Sequence, residues 1–141
     1  MVSDARLEEI EVGHELAALH LTLTNEQVRR YAMGAHMPAG RFLSDEAAQR
    51  EGLPGQIVPG NMSLALFSRL IADSFPGAKL QHLSASFRSL VRPGQPLLLH
   101  GVVTEKHVTA DGPLLECDLV LESEEGDRLV TGTATVHLEQ R

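Results

Sequence analysis

The chain has 141 residues, 43% of them hydrophobic and 22% charged, with 12 Lys+Arg against 19 Asp+Glu, a formal net charge of −7, seven His, one Cys and no Trp. A single domain spanning residues 1–141 is expected, since a chain of this length buries roughly two-thirds of its unfolded surface without needing disulfides or a structural metal. No apolar run approaches the roughly 20 residues of a membrane helix, and the negative charge opposes attraction to phosphate backbones, so neither a membrane nor a nucleic acid is an expected partner.

A lone Cys117 permits no disulfide within the chain, and the start MVSDARLEEIEV has no basic segment followed by an apolar one. Both features lead to the expectation of a cytoplasmic protein. From Glu15 to Thr24 the residues alternate, with Leu19, Leu21 and Leu23 opposite His20, Thr22 and Thr24, the pattern of a half-buried strand. Thr24 and Gln27 have the spacing of a capping box, which predicts a short helix over 25–34. Residues 35–59 are rich in Pro and Gly and read as an irregular overhang, with a helical turn at 44–51. Next, GNMSLALFSRLIADSF at 60–75 is apolar over most of its circumference, and such a helix belongs inside a protein. Pro76 and Gly77 stop it.

Four runs with strand character follow, near 80–91, 95–108, 114–123 and 128–139, separated by PGQP, ADGP and EEGD. Those separators carry turn chemistry, so an antiparallel meander is expected, with one or two further strands from the N-terminal part. The fold class is therefore α+β: an antiparallel sheet wrapped around one long apolar helix, the hot-dog arrangement. Such a sheet leaves an edge wanting a partner, and a homodimer is the default expectation.

The order and wording of these segments resemble the MaoC-like family of hot-dog proteins, which includes R-specific enoyl-CoA hydratases and hydroxyacyl-thioester dehydratases. The stretches that carry the resemblance are LEEIEVGHEL at 7–16, GLPGQIVPGNMSLALFSRL at 52–70, ASFRSLVRPGQPLLLHGVV at 85–103 and GTATVHL at 132–138. The resemblance implies binding of an acyl-CoA or acyl-carrier-protein thioester, or of a released polyketide-like substrate, without a cofactor. It also implies a departure. Where family hydratases carry Asp-x-Asn-Pro-x-His, this chain has Met37, Ala39, Gly40 and Phe42 in the Asp, Asn, Pro and His places, and Pro59 stands where many members have His. Neither Met nor Phe moves a proton.

Candidate catalytic residues are then His36, Gly60 and Ser63. His36 is the titratable residue beside the vacated Asp place, and a neutral imidazole can serve as acid or base near pH 7; the plainer reading is a surface or loop histidine. Gly60 opens the long helix, where unpaired N–H groups can hold a thioester carbonyl as an oxyanion hole does; alternatively it only starts the helix with Pro59, and Asn61 caps it. Ser63 can orient a water or substrate oxygen, or bond the carbonyl one turn back. Tyr31, Met37, Phe42 and Asn61 are candidate substrate contacts. Arg88 and Arg92 flank the turn after the Phe87 strand and can meet the phosphates of a pantetheine carrier, or be ordinary strand-end arginines.

The remaining histidines, His14, His20, His82, His100, His107 and His137, show no zinc spacing, and no nucleotide or serine-elbow motif is present, so neither metal nor cofactor is expected. Cys117 falls on the apolar side of its strand and reads as core. Three functional readings stay open. One is a hydratase or dehydratase with altered acid/base groups; a second is an isomerase or cyclase of polyketide type working through shape; the third is a non-catalytic acyl-binding subunit paired with a MaoC-like homologue in a heterodimer.

Overall fold

A computed structural model describes residues 9–138. The start of the chain read for a targeting segment, the first two residues of the 7–16 stretch and residue 139 at the end of the fourth run lie outside the described residues. In chain order the elements are β1 (Leu19–Thr22), α1 (Asn25–Gly34), a 3-10 turn (Gly40–Phe42), α2 (Asp45–Arg50), α3 (Gly60–Ser74), β2 (Lys79–Phe87), β3 (Pro96–Thr109), β4 (Gly112–Ser123) and β5 (Arg128–His137).

The capping box forms as the spacing requires: the Gln27 N–H donates to Thr24 Oγ1 at 3.0 Å, and the Thr24 N–H donates to Gln27 Oε1 at 2.8 Å. α2 starts the same way, with the Ser44 hydroxyl accepting from the Ala47 N–H.

The five strands make one antiparallel sheet in the order β1-β3-β4-β5-β2. β3, β4 and β5 are the expected meander, but β2 is not its first member. It lies beyond β5 and pairs Phe87 with Val130 and Lys79 with His137. The connection over residues 88–95 is too long for a tight hairpin and is held away from β2: the Gly94 N–H bonds the Leu23 carbonyl and the Val58 N–H bonds the Val91 carbonyl. That route carries the chain from one sheet edge to the other side of the meander.

The N-terminal strand is also shorter than its alternation. Glu15 makes only a bridge to Val102, and the Ala17 N–H leaves the ladder to bond the Ser74 hydroxyl on α3 at 3.0 Å. A backbone donor committed to a helix side chain cannot continue a strand ladder, so β1 begins at Leu19.

The inner face of the sheet packs on α3. Phe67 and Leu70 are fully buried against a sheet face carrying Leu99, Leu115, Cys117, Leu119, Val130 and Val136. Gly132 permits this close approach: a Cβ there would lie 3.0 Å from the Phe67 ring and 2.8 Å from the Ser84 carbonyl oxygen. Burying such side chains contributes about 1.5–3 kcal/mol each, which makes α3 and the inner sheet face the stabilising centre of the domain. The helix is not enclosed all round. Ala65, Ser68, Arg69, Ala72 and Asp73 form an exposed stripe, and β2 is exposed along most of its length. Among the described residues no helix is long and apolar enough to cross a membrane.

Candidate functional site

The overhang between α1 and α3 folds as a small layer with its own core of Ala32, Phe42 and Ile57, flanked by Met37, Ala39, Leu43 and Leu53. One residue ties this layer together. Gln56 is fully buried; its Nε2 donates to the Phe42 carbonyl at 2.8 Å and to the Asn25 carbonyl at 3.1 Å, and its Oε1 accepts from Asn25 Nδ2 at 2.6 Å. Its backbone N–H donates to Asp45 Oδ1 at 2.9 Å. The N-termini of α1 and α2 and the 3-10 turn thus meet on a single residue, and the Phe42 backbone is fixed by it. The Arg41 guanidinium lies over the Phe42 ring, 4.7 Å from its centroid, and pairs with Glu51 at 3.2 Å.

Phe42 is held in place as one wall of a chamber of about 250 Å³ at the start of α3. The overhang supplies Phe42, Ile57 and Val58, the helix supplies Gly60 and Ser63, and the end of β2 with the chain after it supplies Phe87, Ser89, Leu90 and Val91. The lining is largely apolar and contains no titratable side chain. Two features are polar where a ligand would sit. The first is the open end of α3: the Met62 and Ser63 N–H groups bond the Pro59 carbonyl, while those of Gly60 and Asn61 have no acceptor within the helix. The second is Ser63, which is 1% exposed and whose Oγ has no hydrogen-bond partner. The expectation that this hydroxyl bonds the carbonyl one turn back is not met, although its backbone N–H reaches that same Pro59 oxygen at 3.4 Å. A buried unpaired hydroxyl costs free energy, and this one meets a ligand only when a covering side chain moves aside.

The other candidates spread around this chamber. Asn61 does not cap α3; the N-cap residue is Pro59, and Asn61 Nδ2 faces the Met37 sulfur at 3.9 Å. Met37 belongs to the overhang core, and Tyr31 packs from α1 against the main core. His36 is exposed and is not among the chamber's lining residues. It holds φ +57°, the left-handed position that ends α1, where glycine is usual. The His36 N–H bonds the Met33 carbonyl and the Met37 N–H bonds the Ala32 carbonyl, the paired bonds of a Schellman motif.

The two arginines part company. Arg88 points to the outer face of the sheet, where a groove of about 310 Å³ runs between Ser84, Asp118, Arg128 and Thr133. Arg92 turns inward over Gly55, and its guanidinium occupies the place that a Cβ on Gly55 would need. The outer groove is larger than the chamber, but it is a shallow feature of the outer sheet face, and two of its hydroxyls, Ser84 Oγ and Thr133 Oγ1, are paired at 2.8 Å. The chamber is therefore the better candidate site. Gln56 and Arg41 were not singled out in the sequence, because an amide and a cation in a loop carry no periodic signal.

Cys117 sits in the core, and burial, followed by the charges of Glu116 and Asp118, pushes its thiol from 9.0 up to about 12. Among the described residues no group of three or more His, Cys, Asp or Glu is placed to hold a metal ion.

Taken alone, the chamber can bind an apolar chain and receive a carbonyl oxygen at the Gly60 end of α3, with Ser63 beside it. It cannot by itself remove a proton from water or deliver one to carbon.

Comparison with known proteins agrees with this architecture. The chain is 29% identical over 89 residues to the mitochondrial 3-hydroxyacyl-(acyl-carrier-protein) dehydratase of Arabidopsis thaliana, a match covering 63% of this chain and 53% of that protein. The chain thus spans about half the length of that curated relative. Among solved structures, the (R)-hydratase from A. caviae involved in PHA biosynthesis superposes with a TM-score of 0.82 at 25% identity, covering 92% of this chain and 98% of the other. In the ChsH1-ChsH2 complex from Mycobacterium tuberculosis a chain of the same fold superposes with a TM-score of 0.80 at 19% identity, covering 90% of this chain and 97% of the other. The family model described as "MaoC like domain" matches residues 9–121, most of the protein, and the chain belongs to the family of MaoC-like domains.

Proposed function

We propose that this domain takes the acyl part of a CoA or carrier-protein thioester, or a polyketide-derived acyl group, into the chamber at the start of α3. The thioester carbonyl lies at the Gly60 and Asn61 N–H groups, and the Ser63 hydroxyl contacts a substrate oxygen. The observation that carries this reading is the buried, unpartnered Ser63 Oγ beside an open helix N-terminus in an otherwise apolar chamber. Gly60 and Ser63 both line the chamber, and a hydroxyl beside unpaired helix N–H groups supplies the parts of an oxyanion site.

Hydration or dehydration also needs a group that holds and moves a proton, and the chamber's lining supplies none. In this reading the proton carrier is His36, brought to the mouth by a shift of the α1–overhang turn, or a residue of a second chain. The partner is a second copy or a MaoC-like homologue. The paired chains of the ChsH1-ChsH2 complex support the homologue as an alternative.

The test measures crotonyl-CoA binding by calorimetry and its hydration by loss of enoyl absorbance, with light scattering to give the assembly. Expected are binding in the micromolar range or tighter, a dimer, and hydration slower than an ordinary hydratase by roughly 10²–10⁴-fold, the usual worth of one acid–base group, since a single carrier stands in for the Asp and His pair. Fast hydration by the pure protein would show that the proton carrier has been misplaced. Absence of any thioester binding would overturn the reading. Binding without turnover that becomes turnover on adding a homologue would assign this chain the non-catalytic place in a heterodimer.

A further inference from the structure

The approach to the helix N-terminus is not open. A Cβ placed on Gly60 would lie 2.9 Å from Cζ of Phe87 and 3.2 Å from its Cε1, so the tip of the ring rests on the Gly60 Cα. Gly60 has no left-handed φ that would require glycine. What the missing side chain leaves room for is the ring. Yet Phe87 is 55% exposed and its neighbour Leu90 is 47% exposed, while the opposite wall, Phe42, is 8% exposed and held through its carbonyl by Gln56. The chamber thus has one buried, fixed aromatic wall and one that is more than half exposed, with its tip on Gly60.

We propose that Phe87 is a specificity-determining residue: its ring is the movable outer wall of the chamber, which swings off Gly60 to admit an acyl group and, on closing, limits the group's length. This inference rests on the proposed acyl-binding function. The size follows from volume. A cavity of about 150 Å³ takes up benzene. The 250 Å³ here, open to solvent on one side, then takes in an acyl group of roughly six to ten carbon atoms or a single substituted ring, with the ring of Phe87 against its outer part. Longer chains hold the ring open and leave apolar surface in water. Selection by such a wall is steep because contacts missing from, or too many for, an apolar pocket each change binding by roughly tenfold or more.

The experiment compares hexanoyl-CoA with dodecanoyl-CoA by calorimetry in the wild-type protein, Phe87→Ala and Phe87→Leu. The wild type is expected to favour the shorter chain. Phe87→Ala should weaken hexanoyl-CoA binding roughly tenfold and reverse the order, with Phe87→Leu in between. Because the ring is more than half exposed, both variants should keep the wild-type melting temperature within a few degrees. An unchanged ratio of the two affinities in both variants overturns the proposal.

A second readout is independent of thioesters. In protein carrying 3-fluorophenylalanine at its four Phe positions, benzene should shift the fluorine signals of Phe87 and Phe42 and leave that of Phe67, which is buried against the sheet. If no thioester binds but benzene moves the Phe87 signal, the acyl reading fails and the movable wall stands. If thioesters bind and the Phe87 signal stays fixed with both benzene and hexanoyl-CoA, the acyl reading stands and the wall falls.

Discussion

Ser63→Ala separates the two uses of the buried hydroxyl by sign. In the folded chain Ser63 Oγ is shielded from water and has no partner, so the unfolded chain solvates it better than the native one does. Removing it relieves a desolvation cost of about 1–3 kcal/mol, and alanine adds up to about 0.7 kcal/mol of helix propensity inside α3. The void left by one oxygen takes part of this back, for a net gain of about 1–2 kcal/mol, or about 3–8 °C in melting temperature for a domain of this length. Ligand binding should move the other way. Loss of one hydrogen bond to a neutral oxygen weakens hexanoyl-CoA by about 0.5–1.5 kcal/mol, so the ligand-induced rise in melting temperature shrinks even as the baseline rises. Differential scanning calorimetry with and without hexanoyl-CoA measures both. A less stable Ser63→Ala protein would mean that the hydroxyl is satisfied in the native state, as it would be if it bonded the Pro59 carbonyl. The placement of a ligand oxygen on it would then lose its basis.

The fold was legible wherever one physical signal decided an element. Thr24 and Gln27 fixed the start of α1 to the residue, because reciprocal capping bonds require that spacing. The 60–75 run had no polar face wide enough for a surface helix, and α3 is the core helix. The turns at ADGP and EEGD gave the β3-β4 and β4-β5 hairpins. The position of β2 was not legible, since alternation says which face a strand buries and nothing about its neighbour. What sends β2 beyond β5 is the 88–95 connection, anchored at Val91 and Gly94 to distant backbone groups. The early end of the Glu15–Thr24 ladder was hidden for the same reason: the competing acceptor for Ala17 is a serine 57 residues away.

The candidate site was legible in part, and the parts differ in kind. Gly60, Ser63 and Phe42 were reached from their sequence places, and the structure brings all three to one chamber. Arg88 and Arg92 are close in sequence and flank one turn, yet they face opposite sides of the sheet, because Arg88 leaves β2 on the outer face and Arg92 follows the chain back toward the overhang. Gln56 was invisible because its importance lies in four bonds to three separate segments. Phe87 marked a strand in the sequence. Only the distance from its ring to Gly60 gives it a place at the chamber.

Three further outcomes are expected. Burial and the flanking carboxylates raise the Cys117 thiol to about 12, so it should resist alkylation at pH 8 in the native protein and react on unfolding. Since the native state keeps this proton to higher pH than the unfolded one, its contribution is intact below about pH 9 and is lost as pH rises from there toward 12, which urea melts across that window will show. Gln56→Leu leaves the Phe42 and Asn25 carbonyls without their donor and should cost about 2–4 kcal/mol in urea melts, with the overhang amides exchanging first. His36 occupies a left-handed position that costs a side chain about 1–2 kcal/mol, less for histidine than for most residues, while glycine there gives back about 0.5–1 kcal/mol in unfolded-state entropy. His36→Gly should therefore stabilise by about 0.5 kcal/mol and His36→Val destabilise by more than that, both through the end of α1 and without contact to the chamber. Turnover gives the imidazole its own test: a His36→Gly protein that melts higher but no longer turns over substrate has lost a proton carrier, because the variant improves the helix end and removes only the ring. Unchanged turnover in that same protein would leave His36 as a helix terminator and move the proton carrier to the partner chain.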